Sequence, residues 1–105
     1  MISQTERKHF KAIAHHLKPI VTVAGNGLSD GVVKELARAL DDHELIKIRI
    51  AAGDRDERRE MIESACAATN STLVQAIGNI AVLYKPADKP NPALSNLLRS
   101  DVLRS

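Results

Sequence analysis

The residues best suited to chemistry are Gly25-Asn26-Gly27, with Gly31 four positions later, and the pair Lys47 and Arg49. Glycine admits positive φ and lets a ligand or another backbone come close. A glycine turn that opens a helix also presents unpaired N–H groups and the positive end of a helix dipole. The chemistry this suggests is the holding of phosphate, with Lys47 and Arg49 adding charge if they lie nearby. Two kinds of partner fit, a nucleic-acid backbone and a nucleotide cofactor. The same three residues also read as no more than a tight turn.

Other chemistry is poorly represented. The histidines are His9, His15, His16 and His43, and no HExxH or Cys/His zinc spacing connects them. No metal and no cofactor is expected. No catalytic constellation is visible by spacing, and the single cysteine, Cys66, falls on an apolar helix face where it reads as core. Two alternatives from other classes stand beside nucleic-acid binding, a protein-interaction module and, as the strongest enzyme-like one, a small nucleotide-binding domain using the glycine loop for phosphate. Gly25-x-Gly27-x-x-x-Gly31 approximates the dinucleotide fingerprint, and Asp54 sits roughly where a ribose-binding acid would. Against it, the third glycine comes one position late, and the strand carrying Lys47 and Arg49 alternates instead of being apolar on both faces.

The elements that must position these residues follow from periodicity. Ile20 to Val23 is a β-branched strand. Ser29 caps the helix after the glycine turn, Asp30 suits its dipole, and Val33, Leu36, Ala37 and Leu40 form its expected apolar face. Residues 45–51 alternate, with Ile46, Ile48 and Ile50 on one side and Lys47 and Arg49 on the other. Upstream, Ser3-Gln-Thr-Glu6 is a capping box. It opens a helix to about Leu17, with Phe10, Ile13, Ala14 and Leu17 inward. Arg7, Lys8, Lys11, His15 and Lys18 cover the rest, either as a solvated face or as a stripe for phosphates. Downstream, residues 56–68 read as a helix with Met61, Ile62, Ala65, Cys66 and Thr69 inward. Strands 72–77 and 80–84 follow, joined by the hairpin signal Gly78-Asn79. Pro86, Pro90 and Pro92 interrupt regular structure before a short apolar spacing at Leu94, Leu97 and Leu98.

The expected fold is therefore α/β, a single domain of order α-β-α-β-α-β-β. Its sheet has four strands and is mixed, with helices packed against it. The first two strands are parallel and the last two antiparallel. Residues 1–86 form the domain, and residues 87–105 are expected to be a loosely held tail.

With 105 residues and 44% hydrophobic content the chain suffices for one core. Its only aromatics are Phe10 and Tyr84, which argues against a base-stacking platform of the RRM or OB kind. A net charge of +2 is consistent with a nucleic-acid partner without requiring one. One cysteine, no ~20-residue apolar span and a charged N-terminal segment without an apolar core point to a soluble cytoplasmic protein.

Taken together, the run Leu17-Lys-Pro-Ile-Val-Thr-Val-Ala-Gly-Asn-Gly-Leu-Ser-Asp-Gly-Val-Val33 resembles YhbY-type CRM-domain proteins. So do His43-Glu-Leu-Ile-Lys-Ile48 and the late segment Gly78-Asn-Ile-Ala-Val-Leu-Tyr-Lys-Pro86. The resemblance covers roughly residues 3–86. It implies a fold related to the C-terminal domain of translation initiation factor three, and it implies RNA binding. For small stand-alone bacterial members it implies association with precursors of the large ribosomal subunit; related plant domains serve in group II intron splicing. It also implies a GxxG-type loop that clamps a nucleotide backbone. Here the four positions are Ala24, Gly25, Asn26 and Gly27, followed by Leu28, so alanine replaces the first glycine. The basic surface implied with it comprises Arg7, Lys8, Lys11, Lys18, Lys47 and Arg49.

Overall fold

A computed structural model of the chain describes residues 2–25, 27–51 and 53–98. Helix α1 spans Gln4–Ala14, strand β1 Pro19–Val23, helix α2 Asp30–His43, strand β2 Leu45–Ile50, helix α3 Arg55–Thr69, strand β3 Thr72–Ile77 and strand β4 Ile80–Tyr84. The strand order is β1-β2-β4-β3. β1 and β2 are parallel, whereas β4 runs antiparallel to both β2 and β3.

Each helix begins where its side chains satisfy the first N–H groups. Ser3 and Glu6 form a reciprocal capping box on α1, and Asp54 and Glu57 form another on α3. Ser29 Oγ accepts from Val32 N at 3.2 Å at the head of α2. α1 stops three residues before the expected end at Leu17. His16 N donates to Ile13 O and Leu17 N to Ala14 O, a tightening from four-residue to three-residue steps. Pro19 then holds Lys18 out of helical conformation. α3 ends at Asn70 in the left-handed region (φ 55, ψ 42), which asparagine tolerates.

The period-two alternation of the strands divides the core into two layers. Ile46, Ile48 and Ile50 of β2, Ala81 and Leu83 of β4, and Val21 and Val23 of β1 face α2 and α3. Leu45, Val82 and Val74 face α1 and pack on Phe10, Ile13 and Ala14. The buried stripe of α2 is Leu36 and Leu40, with Val32 and Ala39 packed beside them. The expected face had Val33 and Ala37 in their place, yet Ala37 is exposed. Two adjacent valines fit either phase of the helical period, and tertiary packing selects the first.

α1 covers only part of its face of the sheet. Along β2, the residues on that side pass from fully buried Leu45 through half-buried Lys47 to exposed Arg49. Beside them Ile20 on β1 and Ile77 on β3 are 47% and 64% exposed.

Beyond β4 the chain folds back on the α2–β2 junction. Glu44 is 6% exposed. One of its carboxylate oxygens accepts from Ser95 Oγ at 2.7 Å and the other from Ala87 N at 3.0 Å. Asn96 donates from its backbone to His43 O and from its side chain to Leu45 O, and Leu97 joins the layer under α1. The segment expected as a loose tail thus has specific anchors as far as Leu98, because polar groups 43 to 53 residues upstream supply its partners. It forms turns and no helix. Residues 99–105 of that expectation lie outside the described residues.

Candidate nucleic-acid interface

The glycine loop leaves β1 at its C-terminal end and enters α2. Gly27 N donates to Ala24 O at 3.0 Å, closing a four-residue turn. Gly27 has φ +77, and a Cβ built there meets nothing within 4 Å. Glycine is therefore needed for backbone conformation and not for room, and the space beside it is open. Ala24 is not among the residues with positive φ, which for non-glycines are Glu44 and Asn70 among the described residues. Alanine is thus accommodated at the first loop position. Leu28 packs against the core and fixes the loop from its far side. Asn26 lies outside the described residues.

The helix dipole contributes less to this site than the sequence suggests. Asp30 occupies the first turn of α2 and carries a negative charge where an incoming phosphate would benefit from the dipole. Ser29 already satisfies Val32 N. Anion binding here depends on the turn and on cations brought from elsewhere.

Those cations come from β2 and α1. Arg49 pairs with Thr22 across the β1–β2 ladder, two residues before Ala24, which puts it roughly 7 Å along the strand from the loop. Lys47 follows on the same face. It shares one recess with Lys11 and His15, floored by Ala14, Ile80 and Val82. It shares a second, more open one with Lys18, Leu17 and Ile20. Lys8, Lys11 and His15 follow at three- and four-residue spacing along one exposed side of α1. Between Gln4 and Val23 the sole acidic residue is Glu6, whereas α3 and its cap carry Asp54, Asp56, Glu57, Glu60 and Glu63 against three arginines. The small net charge therefore conceals a basic α1 side and an acid-rich opposite side.

The structure does not bring every candidate to this surface. Arg7 Nη1 donates to Leu73 O at 2.8 Å and to Val74 O at 2.6 Å, tying the start of α1 to β3. Lys18 lies near the N-terminal end of β1, a full strand length from the loop. Gln75 was not singled out by the sequence, yet it lines the recess with Lys11 and Lys47. A bulge between Leu73 and Gln75 puts it there, letting both Val74 and Gln75 turn toward α1. No sequence signal marks that bulge.

The groups that suggested other chemistry have structural employment. Asp54, the candidate ribose-binding acid, accepts from Glu57 N at 2.9 Å, and this backbone bond holds its pKa below the ordinary carboxylate value. β1 lies at the sheet edge, not at a central switch point. Burial pushes the Cys66 thiol up, away from the reactive thiolate. Burial first, then the charges of Glu44 and Glu6, pushes up the Tyr84 phenol, whose ring packs 4.6 Å from that of Phe10. Among the described residues no group of three or more His, Cys, Asp or Glu side chains is placed to hold a metal. None of the helices described is long and apolar enough to cross a membrane.

Known proteins are similar to this chain in sequence and in fold. A probable RNA-binding protein of Pseudomonas aeruginosa is 51% identical over 98 residues, covering 93% of this chain and 94% of its own. An RNA-binding protein of Haemophilus influenzae is 41% identical over 84% of this chain and 89% of its own. The solution structure of a hypothetical protein from Staphylococcus aureus, described as a candidate RNA-binding protein, superposes with a TM-score of 0.75. That match has 27% identity and covers 90% of this chain and 98% of that one. The sequence pattern of the CRS1/YhbY (CRM) domain spans residues 2–85, from the capped start of α1 through the last strand, and so the chain belongs to that family.

Proposed function

We propose that this protein binds RNA, and that its RNA is the ribosomal RNA of a precursor large subunit, whose assembly it assists. The observation that carries the RNA reading is the sheet face α1 leaves uncovered, where Lys11, Lys47 and Arg49 lead up to an open glycine turn. Names of similar proteins support the same reading. The protein acts by binding and not by catalysis. Residues 24–28 give backbone N–H groups to a phosphate, Arg49 and Lys47 continue the track across the sheet, and Lys8, Lys11 and Lys18 attract at longer range. Arg7 contributes by holding α1 in place. An rRNA partner of this kind would put the protein in the cytoplasm.

Two measurements test this. Replacing Gly27 with Asp adds a negative charge to the turn and is expected to weaken RNA binding about tenfold or more, the worth of one charge-assisted hydrogen bond, with the fold retained by circular dichroism. Unchanged affinity in the folded variant would remove the loop from the site. In lysate sedimented on a sucrose gradient, the protein is expected with free or precursor large subunits, and lost from them on RNase treatment or in high salt. Recovery only at the top of the gradient would remove the ribosomal assignment and leave RNA binding to be judged by direct titration.

A further inference from the structure

The open sheet face is not flat. The recess between the last turn of α1 and the strands has a volume of about 230 Å³. Its floor is aliphatic, and its rim carries Lys11 and His15 from α1, Lys47 from β2 and Gln75 from β3. An apolar floor under a polar rim suits a flat ring with hydrogen-bonding edges. The volume is below the roughly 300–1,000 Å³ of sites for cofactors and drug-sized ligands, a size for one ring system and not for a dinucleotide.

The rim also discriminates by chemistry. Each lysine only donates, whereas Gln75 and a neutral His15 offer both donors and acceptors. Donors therefore outnumber acceptors, and the ring that fits best has acceptors on its edge. At C4 of the pyrimidines and C6 of the purines, uracil and guanine present a carbonyl oxygen where cytosine and adenine present an amino group. His15 supplies a ring that can stack on the base, in a protein whose one phenylalanine and one tyrosine, Phe10 and Tyr84, pack in the layer beneath α1.

We propose that this recess takes one unstacked RNA base with its C4 (pyrimidine) or C6 (purine) substituent toward the lysines, so that uracil or guanine, with a carbonyl oxygen there, is preferred to cytosine or adenine, with an amino group there. The proposal rests on the RNA-binding reading above and adds a base preference to it. Phosphate contacts at the loop and Arg49 set the affinity, and the recess selects the base beside them.

The test is fluorescence anisotropy with oligouridine and oligocytidine of equal length, titrated across salt concentrations. The proteins are the wild type, Lys11→Met and Gln75→Leu, with thermal melts to verify folding. Oligouridine is expected to bind roughly fivefold more tightly to the wild type, the worth of one net hydrogen bond. Both substitutions are expected to bring that ratio toward one while binding to both RNAs persists. Differences in stacking between the two RNAs belong to the RNA and stay constant across the variants, so the change in ratio reads the recess. If Lys11→Met weakens both RNAs equally and Gln75→Leu neither, the lysine touches phosphate alone and the recess proposal is overturned. Equal wild-type affinities with steep salt dependence would overturn it too, leaving RNA binding standing. Absence of salt-dependent binding to either RNA would overturn both readings.

Discussion

Single residues carry more of this structure than their sequence context reveals, and Glu44 is the clearest case. It has φ 62 and ψ −46, a region that side chains rarely adopt, and it is nearly buried. Two features offset the strain. Its backbone accepts from Lys85 N at 2.9 Å, and its carboxylate takes the two donors from Ser95 and Ala87. Glu44→Ala keeps the strained backbone and loses both acceptors. Glu44→Gly loses the acceptors and relieves the backbone. The glycine variant is therefore expected to be the more stable of the two by about 1 kcal/mol, with both below wild type, as read by urea denaturation. Equal stabilities would mean that the backbone conformation carries no strain. Nothing at position 44 announces this in the sequence, because its partners lie 41 to 51 residues away.

Secondary-structure elements were more legible. The caps Ser3 and Ser29 are local signals, set by a side chain reaching an N–H three residues on, whereas Asp54, read as a candidate ribose-binding acid, caps α3 in the same way. The alternation of β2 is equally local, and it correctly separated Lys47 and Arg49 from the isoleucines. What periodicity could not supply was the bulge in β3, the rotation of α2 by one valine, and how far α1 extends over the sheet. Those depend on packing between elements. The cap of α3 has a pH consequence. The Asp54 pKa is lowered in the folded chain, chiefly by the Glu57 N–H, so its contribution to stability is present above the ordinary carboxylate value of 3.8 and is lost as pH falls through the lower folded value. Asp54→Asn keeps a capping oxygen but no titrating charge. It is expected to flatten the fall in melting temperature below about pH 4, without changing the direction of the dependence at neutral pH. A variant that loses stability on acidification as steeply as wild type would assign that loss to other carboxylates.

At the scale of the whole molecule the sheet separates two tasks. One face, under α2 and α3, is sealed by aliphatic side chains and accounts for most of the buried core. The other is sealed only where α1 and the returning C-terminal segment lie, and its remainder holds the candidate site. The fold class, strand directions and family were readable from the chain. The candidate site was readable at the loop, at Lys11 and on β2, where its residues lie on local motifs. It was not readable at Gln75, or in the diversion of Arg7 to the carbonyls of Leu73 and Val74.

The two exposed isoleucines have a further consequence. Ile20 lies on β1 and Ile77 on β3, and these are the two edge strands of the sheet. Each edge strand carries an exposed apolar side chain, a template for strand addition between copies, although on β3 Arg7 already takes the carbonyls of Leu73 and Val74. The charge available to oppose such association is a net +2, with the lysines beside these residues that the proposed site uses. Salt therefore acts on the protein in two opposite senses. Raising it from 50 mM to 500 mM screens repulsion between copies and is expected to increase light scattering of the free protein, even as it weakens the proposed RNA binding. Ile77→Lys, a charge at the edge, is expected to abolish that increase. On this expectation the cations proposed to bind RNA also oppose self-association, and a variant stripped of them is expected to scatter more light at low salt than the wild type.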